Sequence, residues 1–163
     1  MMAGSHIVMG AAAWAVAAHL AGVPASEPQA LAAAALGALL PDIDHPNSWA
    51  GRKMRVVSVP LSLVLGHRGI THSLLAVAAA LALLAVMGVG WIAAPVAIGY
   101  LSHLAADGLT PSGVPLLWPS RRRFTLNLCR TGGIVEMALV AGVAILGGWA
   151  MGIDFGHLPR PHL

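Results

Sequence analysis

Gly66-His67-Arg68-Gly69-Ile70-Thr71-His72-Ser73 places two histidines, an arginine and two hydroxyls in one short stretch of an otherwise apolar chain. A long apolar run begins directly after it. Ionisable groups are costly beside hydrocarbon, and where they cluster there they mark function. The stretch reads as the centre of a metal site at a membrane surface. The remaining segments complete and hold that site.

Composition sets the medium. Of 163 residues, 58% are hydrophobic and only 9% charged, with a mean hydropathy of +0.79. A soluble domain carries roughly 25% charged residues. The expected class is therefore all-α: a polytopic transmembrane helical bundle forming a single domain over residues 1–163. About five membrane helices are expected, plus a short interfacial or re-entrant helix. The formal charge of +3 reflects loop orientation in such a protein, and no nucleic-acid partner is expected. Cys129 stands alone, which excludes an intrachain disulfide. The run from Ile7 to Ala21 leads into Val23-Pro24-Ala25-Ser26, which loosely resembles a cleavage site. No Lys or Arg precedes it, so it is read as a retained helix.

A spanning helix needs about 20 apolar residues. Segment one, about Ser5 to Gly22, is just long enough. Segment two, about Pro28 to Leu40, is short, and its alanines suit close packing. A polar loop runs from Pro41 to Arg55. Val56 to Gly66 is apolar, but short and interrupted by Pro60, so it reads as interfacial or re-entrant. Segment three covers about His72 to Val89, and Gly88-Val89-Gly90 makes the following turn. Segment four covers about Ile92 to Leu109. A long loop from Thr110 to Thr131 precedes segment five, about Gly133 to Gly152.

On this plan the polar residues gather at one membrane face. His6 opens segment one, Asp42 and Asp44 follow segment two, and His67 and His72 precede or begin segment three. His103 and Asp107 end segment four, and Glu136 lies near the start of segment five. The convergence depends on segment two crossing; were it re-entrant, His6 and Asp42 would part. Arg52, Lys53, Arg55, Arg68, Arg121, Arg122, Arg123 and Arg130 share that face, with only Arg160 opposite. By the positive-inside rule the metal site and N-terminus face the cytoplasm and the C-terminus lies outside. Some of these arginines could instead bind substrate phosphate. His19, His157 and His162 fall at the other face and are expected to be uninvolved.

The chemistry follows from residue types and spacing. His103 and Asp107 are four apart and share a helix face, so both can reach one ion; alternatively Asp107 supports an imidazole from behind. Asp42 and Asp44 lie between prolines, where a bend would bring both to one site, or one could bridge two ions. Gly69 allows a turn that aims His67 and His72 at a common centre, and Thr71 or Ser73 could cap the next helix. His45 could be a ligand or a solvated loop residue. Glu136 could be a general base, a ligand or the buried partner of an arginine. The candidate metal ligands are thus His6, Asp42, Asp44, His67, His72, His103 and Asp107, with Arg68 and Glu136 as candidate catalytic residues. Imidazole and carboxylate without thiolate suit Zn, Mn or Fe. The ligand set is rich enough for one or two divalent ions, and two would suit a hydrolytic site.

Ser5-His6, Pro41-Asp42-Ile43-Asp44, the Gly66–Ser73 block, His103 with Asp107, and Thr110-Pro111-Ser112-Gly113 leading to Trp118-Pro119 together resemble a known family. It is the LexA-regulated, inner-membrane-associated metal-dependent hydrolases (YdjM-like proteins). The resemblance covers about Ser5 to Arg123 and implies a small polytopic helical hydrolase that uses divalent metal. The pattern of His and Asp ligands is also distantly similar to zinc-dependent phospholipase C. The expected function is hydrolysis of a phosphate ester, such as that of a membrane lipid, at the cytoplasmic face. The alternatives are a metal ion transporter, or a membrane regulator with a structural metal site.

Overall fold

The computed structural model describes residues 1–65, 69–120 and 122–155. His67, Arg68, Arg121, His157, Arg160 and His162 lie outside the described residues. The described chain is helical, with one isolated antiparallel bridge between Val114 and Phe124. Seven α-helices follow in order: α1 Ala3–Leu20, α2 Pro28–Gly37, α3 Trp49–Lys53, α4 Arg55–Leu65, α5 Leu74–Val86, α6 Ala93–Gly108 and α7 Ile134–Ala150. Short 3-10 turns at Pro41–Asp44, Ile70–His72 and Gly90–Ile92 lead into or out of them.

Helix boundaries follow local chemistry. Pro28 begins α2, where a missing N–H costs nothing. Ser48 caps α3 by accepting from the Gly51 N–H, and Ser73 caps α5 by accepting from Ala76. Gly88 and Gly152 take positive φ where the chain leaves α5 and α7.

Among the described residues, α1 alone is long and apolar enough to cross a membrane by length and composition. The other expected segments are shorter. With 13, 16 and 17 residues, α5, α6 and α7 are about 20–26 Å long. The second segment is a helix of only 10 residues, about 15 Å. Even so, it brings Asp42 back to the level of His6. The hairpin between α1 and α2 makes this possible: α1 descends from His6 to Leu20, and α2 with its 3-10 extension climbs a similar distance back. His6 and Asp42 are thus brought together, as the sequence-based plan expected of a second segment that returns to the same end.

The core sits between α1, α2 and α6, with α7 against α1 and α5 against α6. Its side chains are small. Ala15, Ala18, Ala30, Ala34 and Ala150 pack around Trp14. Helix α2 meets α6 almost backbone to backbone. A Cβ on Gly99 would fall on the Ala34 carbonyl oxygen, and one on Gly37 would fall on the Val96 carbonyl oxygen. Such proximity is how small residues bind helices in apolar media.

The outer surface inverts the soluble pattern. In α4, Val56 is 90% exposed and Leu63 is also bare, whereas Ser58 is fully buried. In α7, Ile134, Val135, Met137 and Trp149 are exposed, while Glu136 is buried. Apolar side chains face out and polar ones face in, as expected where the surroundings are hydrocarbon.

Replacing Gly99 with Leu should destabilise the bundle by at least about 2 kcal/mol through overpacking. Ala141→Leu on the outward side of α7 should shift stability by no more than about 0.5 kcal/mol. Unfolding midpoints of the two variants in the same detergent check both values.

Candidate metal centre

Helix ends deliver the site. His6 lies one turn into α1, and His103 and Asp107 occupy the last turns of α6. The 3-10 turn after α2 carries Asp42 and Asp44, and the 3-10 turn before α5 carries His72. His6, Asp44, His72, His103 and Asp107 are buried, and Asp42 is 18% exposed. The solvent-accessible edge of the cluster is therefore at Asp42.

These side chains converge. His103 Nε2 lies 3.7 Å from Asp107 Oδ2 and 3.9 Å from Asp42 Oδ1. His72 Nε2 lies 3.9 Å from the same Asp42 and Asp107 oxygens. His6 Nε2 is 3.4 Å from Asp107 Oδ1. The His6 and His103 rings stack with centroids 3.8 Å apart, and His72 meets His103 edge-on at 5.3 Å. Two overlapping groups have ligand atoms all within 4.8 Å of one another: His6, Asp42 and His103, and His72, His103 and Asp107. His103 belongs to both.

The imidazoles are held from behind. His103 Nδ1 donates to the Ala38 carbonyl at 2.7 Å, one of the carbonyls that the end of α2 leaves open. This fixes the tautomer and presents Nε2 as an acceptor. His72 is held by a relay. Thr71 Oγ1 donates to Asp44 Oδ2 and lies 3.1 Å from His72 Nδ1. A hydroxyl has one proton, and here it goes to the carboxylate. His72 Nδ1–H therefore donates to Thr71, and Nε2 again faces the cluster. Tyr100 completes the support by donating to the Thr71 carbonyl at 2.5 Å.

The cluster suits a cation. His103 Nε2 and His6 Nδ1 are buried without a hydrogen-bond partner, which is costly unless something binds there. Carboxylates at this depth also call for positive charge among them. Met1 N lies 2.7 Å from Asp107 Oδ1, while Oδ2 faces His72 and His103. His6, Asp42, His72, His103 and Asp107 form His/Asp groups that could hold a metal ion.

Among the described residues, Asp44 and Glu136 are expected site residues that lie outside the cluster. Asp44 lies on the Nδ1 side of His72, behind the ring, and His67 and Arg68 lie outside the described residues. Glu136 is buried in the first turn of α7, but both its oxygens are engaged. Oε1 accepts from Ser5 Oγ at 2.5 Å and Met2 N at 3.0 Å, and Oε2 accepts from Gly132 N at 2.8 Å. It clamps α7 to the turn that carries His6. Cys129 is buried beside the Leu109 carbonyl. Burial, and then the nearby Glu136 carboxylate, push its thiol pKa up, away from the thiolate form that binds metal. His19 packs edge-on against Trp149 at the far end of the bundle.

A family model described as YdjM inner membrane protein matches residues 1–157. The chain belongs to the YdjM family. Inner membrane protein YdjM of Escherichia coli (strain K12) is 52% identical over 101 residues, covering 58% of this chain and 52% of that protein. The Shigella flexneri protein of the same name matches equally. The matched stretch thus spans about half the length of these two relatives. Uncharacterized protein YvsG of Bacillus subtilis (strain 168) is 38% identical over 144 residues, covering 86% of this chain and 88% of that one. No solved structure matches the chain.

Thr71, Tyr100 and the Ala38 carbonyl were not assigned to this YdjM-family centre from sequence. Tyr100 had a readable signal, since it shares a face of α6 with His103, Leu104 and Asp107. Thr71 read only as a possible cap. Ala38 left no signal, because its contribution is backbone. Thr71→Val should weaken metal affinity by about 10- to 100-fold, and Thr71→Ser should restore it. Competition against a chelating dye measures both.

Proposed function

We propose that the chain is an inner-membrane, metal-dependent hydrolase that cleaves a phosphate ester of a membrane lipid at the cytoplasmic face. One observation carries the reading: imidazoles and carboxylates from four separate segments converge in a buried cluster, with His103 Nε2 oriented and unpartnered. Membership of a family named for the inner membrane supports the location, as do the exposed apolar faces of α4 and α7. In this reading α1, α2, α5, α6 and α7 are the membrane helices, and local thinning of the bilayer accommodates the short α2. Helix α4 lies at the interface. The site and N-terminus are cytoplasmic, matching the basic residues Arg52, Lys53, Arg55, Arg122, Arg123 and Arg130 at that end.

His6, Asp42, His72, His103 and Asp107 would hold a divalent ion, which would supply Lewis acidity and an activated water there. The protein's own groups do the positioning. The Ala38 carbonyl and the Asp44–Thr71 pair aim His103 and His72 and fix where their protons sit. Asp42, at the open edge, faces the direction from which an ester and water would enter. Arg68, next to His67 in the chain, is assigned to the phosphate charge.

His103→Ala or Asp107→Ala should lower metal-dependent hydrolysis of phosphodiester and phospholipid substrates by about 100-fold or more. Purified variants that keep full metal content and full turnover would sink the assignment. The near-complete burial of four of the five groups favours one second reading, a structural metal in a membrane regulator. On that reading, metal removal lowers the unfolding temperature and no ester is turned over by any metal-loaded form.

A further inference from the structure

A second feature lies along α6 and the loop that follows it. Leu74, Leu101, Leu104, Ala105, Gly108 and Leu126, with their neighbours in α6 and the Thr110–Thr131 loop, line an open groove of about 580 Å³. That volume is within the range of small-molecule sites, roughly 300–1,000 Å³. Its walls are apolar apart from Thr125. Two of them border the cluster in sequence: Leu104 and Gly108 directly follow His103 and Asp107.

The loop that closes the groove is fastened to the end of α6. Leu126 N donates to the Gly108 carbonyl at 2.8 Å, Leu128 N to Leu109 at 2.8 Å, and Thr125 Oγ1 to Thr110 at 2.6 Å. The bridge between Val114 and Phe124 holds its two arms together.

Charge says what kind of occupant fits. Arg122 and Arg123 are exposed and immediately precede the lining residues Phe124, Thr125 and Leu126. Arg123 is braced by donating to the Ser112 carbonyl at 3.0 Å. Arg52, Lys53, Arg55 and Arg130 are exposed at the same end of the bundle. Among the described residues, the exposed acids are Glu27 and Asp154, both at the opposite end. Basic side chains thus adjoin an apolar groove in the chain, and no exposed acid among the described residues lies at that end. The same loop exposes Leu117, Trp118 and Leu128, the combination of apolar and basic side chains that seats a segment among lipid headgroups.

We infer that this groove holds one acyl chain of an anionic phospholipid, with Arg122 and Arg123 meeting its headgroup phosphate. Arginine suits that role because its planar fork can pair bidentately with phosphate. This deepens the function proposed above and rests on the chain being membrane-embedded. It does not rest on ester hydrolysis.

The test uses the full chain in nanodiscs and diazirine-tailed phosphatidylglycerol or phosphatidylcholine as probe. Cross-links mapped by mass spectrometry should fall on Leu101, Ala105 and Leu126, at least fivefold more from phosphatidylglycerol than from phosphatidylcholine. Ala105→Trp, which fills the groove from an exposed position, should remove at least nine-tenths of these cross-links. Arg122→Gln with Arg123→Gln should abolish the preference for phosphatidylglycerol while leaving the chain folded. Equal labelling by the two lipids would mean bulk lipid and overturn the inference, as would undiminished labelling of a folded Ala105→Trp protein. If Ala105→Trp does not fold, the wild-type map and the arginine variant still decide. Cross-linking reads binding alone, so absent turnover leaves this inference standing. Failed labelling with intact turnover overturns only the groove.

Discussion

Burying carboxylates and imidazoles in an apolar bundle is the constraint on which the rest depends. Asp44, His72, His103 and Asp107 are almost wholly removed from solvent, in a chain whose outer faces are apolar. Each buried polar atom then needs a partner, or the fold loses stability. The Ala38 carbonyl, the Thr71 hydroxyl and the Met1 ammonium meet part of that need. His103 Nε2 and His6 Nδ1 remain without a hydrogen-bond partner, which is costly at such depth.

The same constraint shapes the scaffold. Five groups can meet only if four segments end at one level, and the helices must approach closely to bring those ends together. Gly37 and Gly99 allow the backbones of α2 and α6 to touch. That contact sets the height at which the Ala38 carbonyl reaches His103. Glu136 performs the matching task on the other side, tying α7 to the start of α1 through Ser5 and Met2. Packing and site geometry are therefore one problem here. A side chain added at the glycine contact would move a ligand that never touches it.

Much of the candidate site was legible from local rules. His103 and Asp107 share a face because a helix repeats every 3.6 residues, and the structure brings them together. His72 was legible because polar clusters are rare in so apolar a chain. The gathering of His6, Asp42, His72, His103 and Asp107 at one end followed from counting apolar lengths. The helical architecture was legible for the same reason. Glu136 was harder. An acid at the start of an apolar helix signals a buried task, but nothing local says whether it faces a ligand or three hydrogen-bond donors.

The sequence by itself determined an apolar environment, helices, and one end rich in imidazole, carboxylate and basic residues. These depend on composition and on spacing within single segments. Only the tertiary structure decided that a helix of 10 residues suffices to return Asp42 to His6. It alone placed Asp44 behind His72 through Thr71, assigned the orientation of His103 to a backbone carbonyl, and left a groove beside α6. Each of these depends on contacts between segments far apart in the chain. Such contacts are set by how closely helices pack, and no local pattern encodes that distance.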